Sequence, residues 1–315
     1  MLAFVVSAQA SDPDAVTPGR AYIYDLAGDQ PVILRLAVSG SALVRVRNIG
    51  RDSVLTITDV SGTKLGRSAG WRGPEHHYFA LIETESEVIL TIEPDDPISP
   101  PGRIGLYIEL LAPDSPLAQA ERVMSNASDS NLAFYYGEAD TRESALNDFQ
   151  EAASLFAVAG NNARKADALF EAANVSDILC RRRLAHKLLE EAGSIWSDID
   201  DQRGVAATEN LRGLFHWATG NSEASIALFD SAAARRKSMG DDYFYVEAIN
   251  NLGLVHREKG DSRLAAQYFR DAVEFYQGDV NLLEDEIDLE RWKLLPRPPW
   301  MNNSLIGLNN LGLAN

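Results

Sequence analysis

The chain has 315 residues, 45% of them hydrophobic, enough to bury the cores of about two domains. Its 46 acidic against 29 basic residues leave a net charge of -17, which argues against nucleic acid or an anionic lipid surface as the main partner. A single cysteine, Cys180, excludes an internal disulfide framework and a cysteine-based zinc site.

The first elements read in chain order are a short apolar run and a set of strands. Met1 to Ala10 closes on Ala8-Gln9-Ala10, the small-x-small form of a signal-peptidase site, although it is short and lacks a positive flank. Residues 1–16 are therefore expected to be a signal-peptide remnant or a disordered tail. The expected setting is periplasmic or extracellular in a bacterium, with the cytoplasm as the alternative. No later stretch approaches the ~20 apolar residues that span a bilayer.

From 17 to 111 the pattern alternates. Seven short β-branched runs, Ala21–Leu26, Pro31–Val38, Ala42–Arg47, Val54–Thr58, Tyr78–Ile82, Val88–Ile92 and Ile104–Leu110, are separated by Gly, Ser, Asp and Pro. They predict a β-sandwich, with Ser39-Gly40 and Ser61-Gly62 supplying the positive φ of tight turns. The stretch Asp52 to Leu65 resembles the hairpin of bacterial pre-peptidase C-terminal-like sandwiches, over about a third of the domain. Ala112-Pro-Asp-Ser-Pro116 punctuates the end of this pattern, and 112–125 reads as a linker.

Beyond it, Ala, Leu, Glu and Arg recur with helical spacing, and the segment repeats itself. Ala145, Ala185, Ser225 and Ala265 stand 40 apart; so do Phe149, Leu189, Phe229 and Phe269, and so do Ala152, Ala192, Ala232 and Ala272. Ala133, Ala173, Gly213 and Gly253 keep the same step, as do Cys180, Gly220 and Gly260. Small residues let two antiparallel helices approach, and the bulky column is expected to fill the space beside their crossing. Gly220 and Gly260 fall where a first helix must end in a left-handed residue, and Asn161-Asn162, Asp200-Asp201 and Asp241-Asp242 fall where the next helix needs a cap. Units are placed at 126–165, 166–205, 206–245 and 246–285.

Leu252-Gly253, Gly260-Asp261, Ala265, Phe269 and Ala272 resemble the tetratricopeptide repeat at its L-G, G-D, A, Y/F and A positions, with a longer step than the family's usual ~34 residues. The fold expected is multidomain all-β plus all-α: an N-terminal β-sandwich followed by an α-solenoid of helix hairpins over 126–315. Leu311-Gly312 repeats the pair Leu252-Gly253, but further along the chain than one step would place it. That spacing predicts an insertion at 277–304 and a truncated fifth repeat, as in the N-terminal part of a longer protein. The order of modules resembles bacterial proteins that carry a caspase-like CHAT peptidase domain after their repeats.

The residue types that carry chemistry have plainer roles. His216 and His256 occupy one repeat column and read as packing residues; His76-His77 and His186 lack the company of other metal ligands. Cys180, beside Arg181-Arg182-Arg183, could be activated as a thiol, but its equivalents are glycines at a turn. No nucleophile elbow, phosphate loop or H-E-x-x-H motif is present, so no catalytic residue, cofactor or metal is assigned. In peptide-binding members of the resembling family, helix-A positions around the L-G pair face a concave groove. Carried over, these are Asn210, Leu214, Trp217, Asn250, Leu254 and Arg257, for a protein or peptide partner; packing against a neighbouring helix is the alternative for Leu214 and Trp217. A rival function places the site on the sandwich, as a surface- or carbohydrate-binding module with an aromatic platform of Trp71, Tyr78 and Tyr107.

Overall fold

A computed structural model describes residues 4–6, 14–26, 30–49, 53–69, 77–94, 102–135 and 140–277. The chain divides into two compact units, Met1–Ile199 and Asp200–Asn315, so compactness does not follow the boundary at 111 between strands and helices.

Among the described residues ten strands build the β-layer: β1 (Phe4–Val6), β2 (Asp14–Val16), β3 (Ala21–Leu26), β4 (Val32–Ala37), β5 (Gly40–Ile49), β6 (Ser53–Asp59), β7 (Lys64–Ala69), β8 (His77–Thr84), β9 (Glu87–Pro94) and β10 (Gly102–Leu111). They form two five-stranded sheets, ordered β1-β3-β10-β5-β8 and β2-β4-β9-β6-β7. This is the sandwich expected from the alternation. Three strands go beyond the seven read from the sequence, and two of them, β1 and β2, lie in the segment expected to be a remnant or disordered tail. Each pairs in parallel at a sheet edge, β1 with β3 and β2 with β4.

The inward residues of both sheets, among them Tyr24, Leu34, Val44, Leu55, Leu90 and Ile104, make one apolar cluster. Alternation along each strand puts every second side chain there. Burial, then Asp14 and Tyr22, push the Tyr24 hydroxyl up to about 12. The β6–β7 hairpin is the one suggested by the stretch from Asp52. Asp59 Oδ1 accepts bonds from the Ser61 amide at 2.8 Å and the Thr63 amide at 2.8 Å, while Gly62 takes φ 89°. The hydrogen bonds from Ser61 and Thr63 hold the Asp59 carboxyl below its ordinary pKa.

Eight helices follow among the described residues: α1 (Pro116–Tyr135), α2 (Arg142–Val158), α3 (Asn162–Ile178), α4 (Arg182–Asp198), α5 (Gln202–Ala218), α6 (Ser222–Ser238), α7 (Asp242–Glu258) and α8 (Ser262–Gln277). The linker expected at 112–125 is thus mostly helix, because Pro116 takes the first helical position, where no amide is needed, and Ser115 Oγ caps Ala118 N at 3.2 Å. The hairpins are α1–α2, α3–α4, α5–α6 and α7–α8. The last three start at 162, 202 and 242, a little ahead of the units placed from the columns. The insertion at 277–304 and the fifth repeat lie almost wholly outside the described residues.

From α2 to α7 every helix has 17 residues. Their first residues are numbered 142, 162, 182, 202, 222 and 242, one constant step. The cause is one recurring turn. Gly160, Cys180, Asp200, Gly220, Gly240 and Gly260 all have φ between 56° and 84°. At Gly220 the amide donates to Trp217 O at 2.9 Å and the Asn221 amide reaches back to His216 O at 2.9 Å, the two bonds of a Schellman cap. The same pair of bonds recurs at Gly160, Cys180, Gly240 and Gly260. The residue after the left-handed one then serves as N-cap: Asn161, Asp201 and Asn221 accept amide hydrogens of the next turn. Asp241 makes no such cap and turns its carboxylate to Arg236 instead.

The columns of the repeat are its core. Phe149, Leu189, Phe229 and Phe269 are all at most 1% exposed. The rings do not fill space beside the crossing, as the columns suggested, but lie directly on the glycines: a Cβ built on Gly213 would come within 2.6 Å of the Phe229 ring, and one on Gly253 would strike Phe269. Where alanine stands in the small-residue column, the matching bulky residue is Phe149 for Ala133 and Leu189 for Ala173. Ser225, in an alanine column, donates its hydroxyl to Gly213 O at 2.9 Å and so is satisfied though buried.

Within the first unit, strands and helices are joined by two arginines. Arg122 of α1 grips Glu83 of β8 through two bonds, 3.0 and 2.5 Å. The hydrogen bond from Arg122 holds the Glu83 carboxyl below its ordinary pKa. Arg164 of α3 is buried and forked onto Glu121 of α1 at 2.9 and 2.7 Å, reaches Asp167 at 2.8 Å, and lies 3.9 Å from the ring centre of Phe79 on β8. Burial alone would lower its pKa; Glu121 and Asp167 override that and hold the guanidinium charged.

Substitutions at the crossings and turns test this packing by urea denaturation. Gly213→Ala and Gly253→Ala should each cost about 1–3 kcal/mol of overpacking in the second unit. Gly220→Ala should cost about 1 kcal/mol for its left-handed backbone, whereas Cys180→Ala, which replaces one non-glycine by another, should change stability by less than about 0.5 kcal/mol.

Candidate functional site

The helix-A face of the second unit holds all six residues singled out for a groove. Asn210, Leu214 and Trp217 recur along α5 at helical spacing, as do Asn250, Leu254 and Arg257 along α7, so each trio shares one face. The structure exposes Arg257, leaves Asn210, Leu214, Trp217 and Leu254 half-buried, and buries Asn250 to 3% exposure.

A polar ladder crosses between the two helices. Asn210 Nδ2 donates to Glu247 Oε1 at 3.0 Å, and Asn210 Oδ1 accepts from Asn251 Nδ2 at 3.2 Å. Further along, Trp217 Nε1 donates to Glu258. Leu214 and Trp217 also pack against the cluster of Phe229, Leu252 and Val255, so both carry a structural role there. Glu247 and Asn251, absent from the sequence-based set, complete the ladder; with Leu254 they follow helical spacing along α7, which was a usable signal. Asn250 Oδ1 is buried with no hydrogen-bond partner among the described residues.

Charge around the ladder is arranged unevenly. Arg236 and Asp241 form a buried ion pair, at 3% and 2% side-chain exposure, and Arg236 stacks over Phe244 at 4.6 Å. Burial lowers the Arg236 pKa, with Asp241 opposing. Burial raises the Glu247 pKa above its ordinary value, against the pull of Arg236 and the bond from Asn210. The site therefore offers amides, an enclosed carboxyl, an indole edge and one exposed guanidinium.

The histidine column is structural. His256 stacks on Tyr268 with ring centres 5.6 Å apart, and its Nδ1 lies 3.8 Å from Asp261. Cys180 is exposed at its turn. No group of three or more His, Cys, Asp or Glu that could hold a metal ion occurs among the described residues. On the sandwich, Tyr78 points into the core and its hydroxyl lies 3.0 Å from Ser53 Oγ, which removes it from an aromatic platform. Tyr107 is half-buried, and Trp71 and His76 lie outside the described residues.

Residues 204–278 match the tetratricopeptide repeat family. That span holds the whole ladder and nearly all of the two hairpins α5–α6 and α7–α8. No curated protein matches the sequence. Among solved structures, BtubC (BKLC) from P. vanneervenii is similar at 19% identity and TM-score 0.43, over 50% of this chain and 65% of that one, just under two thirds of its length. A putative kinesin light chain of nearly identical TPR-like repeats from Podosopora anserina is similar at 13% identity and TM-score 0.44, over 64% of this chain and 87% of that one. The pre-peptidase C-terminal domain of a collagenase from Bacillus anthracis is similar at 14% identity and TM-score 0.28, over 32% of this chain and 99% of that one. No described helix is long and apolar enough to cross a membrane.

Because the folded state raises the Glu247 pKa, it binds a proton more readily than the unfolded chain does. Stability of the α5–α8 helices should therefore fall as pH rises from the ordinary carboxylate range, near 4.5, through the raised value. Glu247→Gln should flatten this slope, read as denaturation midpoint against pH.

Proposed function

We propose that this chain is a non-catalytic interaction scaffold whose tetratricopeptide repeats hold an extended protein segment along the helix-A face of α5 and α7. The match of 204–278 to the repeat family supports protein binding in general. The observation that carries the finer reading is the concentration of amides on this face, where half-buried Asn210 commits one amide hydrogen and one acceptor site to the ladder and has one more of each to offer a peptide backbone. The side-chain amide of Asn251 adds donor and acceptor capacity beside it, and exposed Arg257 would pair with a carboxylate of the ligand.

In this proposal the chain is the sensor arm of a longer, exported protein of the CHAT-peptidase-like arrangement, with any chemistry carried by a domain beyond Asn315. The order of sandwich and repeats supports that placement.

The test is peptide selection against the full chain by phage display, followed by calorimetry with the selected peptide. Arg257→Glu and Leu254→Lys, both on this face of α7, should each weaken binding by about tenfold or more while leaving the unfolding temperature within a few degrees. Selected peptides that bind these variants as tightly as the parent protein would refute the assignment of this face.

A further inference from the structure

Two steps of the repeat separate alternate hairpins, which allows one groove to be compared with its own counterpart inside the same molecule. In the first unit, α2, α3 and α4 enclose an open groove of about 470 Å³. Its floor is Ala153, Leu169 and Leu188, and its rim carries Lys165, Lys187 and Glu191. Two steps on, α6, α7 and α8 repeat the arrangement with helices of matching bounds. There Lys165 is replaced by Tyr245 and Leu188 by Tyr268, while Leu169 becomes Ile249 and Ala153 becomes Ala233.

Those two tyrosines stand half-buried in the second groove. Both pack on the cluster of Ala233, Val246, Ala248, Ile249 and Ala272. Lys237 lies 5.4 Å from the Tyr245 ring centre, and His256 stacks on Tyr268. Burial, followed by Asp230, Asp271 and Tyr245, raises the Tyr268 hydroxyl above its ordinary pKa, as expected for a half-buried ring beside an acidic rim. The first groove has the same helices and an equivalent apolar floor, with neither ring present.

The charges at the two rims differ in a way that bears on the occupant. Where the filled groove carries Asp230 and Asp271, the open one carries Gln150 and Glu191, and it adds Lys187 in place of Gln267. Glu191 already holds Lys165 at 2.8 Å. Lys187 is exposed and has no ion pair or hydrogen bond among the described residues. The chain's net charge of -17 opposes an acidic ligand at long range, but that repulsion is screened beyond about 8 Å at physiological salt, and the local cation decides at contact.

We infer that the groove between α2, α3 and α4 is a second docking site, on the helix-B side of the first unit, for a partner peptide that inserts a tyrosine or phenylalanine flanked by carboxylates. The ring takes the volume that Tyr245 and Tyr268 occupy in the second unit, and a flanking carboxylate pairs with Lys187. An aromatic anchor in an apolar pocket surrounded by charged rim contacts is a common source of affinity in peptide recognition. This site shares no residue with the α5–α7 face, so either can fail alone.

The probe is a fluorescein-labelled heptapeptide with a central tyrosine and three glutamates on each side, titrated into the full chain by fluorescence anisotropy. Replacing its tyrosine by alanine, or its glutamates by lysines, should weaken binding by about tenfold or more. Lys187→Glu should do the same. The double variant Lys165→Tyr with Leu188→Tyr rebuilds the filled groove and should abolish binding without lowering the unfolding temperature. Arg257→Glu should leave this titration unchanged. The inference is overturned by absence of binding, by equal affinity for the alanine peptide, or by unchanged affinity in both Lys187→Glu and the folded double variant. It is also overturned if a chain ending at residue 277 binds and the full chain does not, since the occupant is then the chain's own acidic segment around Glu284–Glu290.

Discussion

The helical part of this protein depends on a turn of three residues. From α2 to α7 each helix closes on a Ccap residue, passes through a left-handed residue and opens the next helix on the residue that follows, whose amide completes the Schellman bond behind it at Gly160, Cys180, Gly220, Gly240 and Gly260. With the turn fixed at that length, helices of 17 residues recur at one step without slack. Everything placed by column then follows: Phe229 meets Gly213 and Phe269 meets Gly253 because the same stretch of chain separates each ring from its glycine. Cys180 and Asp200 show how strongly the geometry is imposed, since both adopt positive φ without being glycine.

The same regularity makes the exceptions informative. Where the repeat calls for packing and the sequence places Asn210, Asn250 and Asn251, the helices keep their register and a polar ladder appears on one face. Where the filled groove has two tyrosines and its earlier counterpart has Lys165 and Leu188, the helix bounds again do not change and an open groove remains. Departures of side chain on an unchanged scaffold are the places where binding can be added at small cost in stability. At the other end, Arg164 joins α1, α3 and β8 through one guanidinium, which makes the strands and the first hairpins a single compact unit. A charge buried this deeply is tolerable only because Glu121 and Asp167 satisfy it.

Much of the fold was legible because periodic patterns report local geometry. The repeating columns located the hairpins, and the glycines at 220 and 260 marked the turns. The finer step, one helix at a time, was obscured because Cys180 and Asp200 stand where glycine would have signalled the turn. The segment Ser115-Pro116 reads as linker punctuation or as an N-cap followed by a first helical residue, and only the helix behind it decides. Strand β7, with Gly66 and Ser68 in its middle, owes its state to pairing with β6 rather than to its own propensity. The arginine hub was not legible at all: Glu121, Arg164 and Phe79 are brought together by tertiary packing that no local pattern encodes. Of the candidate site, helical spacing placed the two trios along α5 and α7, while the burial of Asn250 and the tie from Trp217 to Glu258 depended on how α5 and α7 pack.

Amide hydrogen exchange measured by NMR at the turns tests the central claim most directly. The amides of Asn161, Arg181, Asn221, Asp241 and Asp261 each donate the long Schellman bond, so they should exchange as slowly as amides in the adjoining helical turns. Exchange at the rate of open loops at these five positions would contradict a scaffold set by its turns.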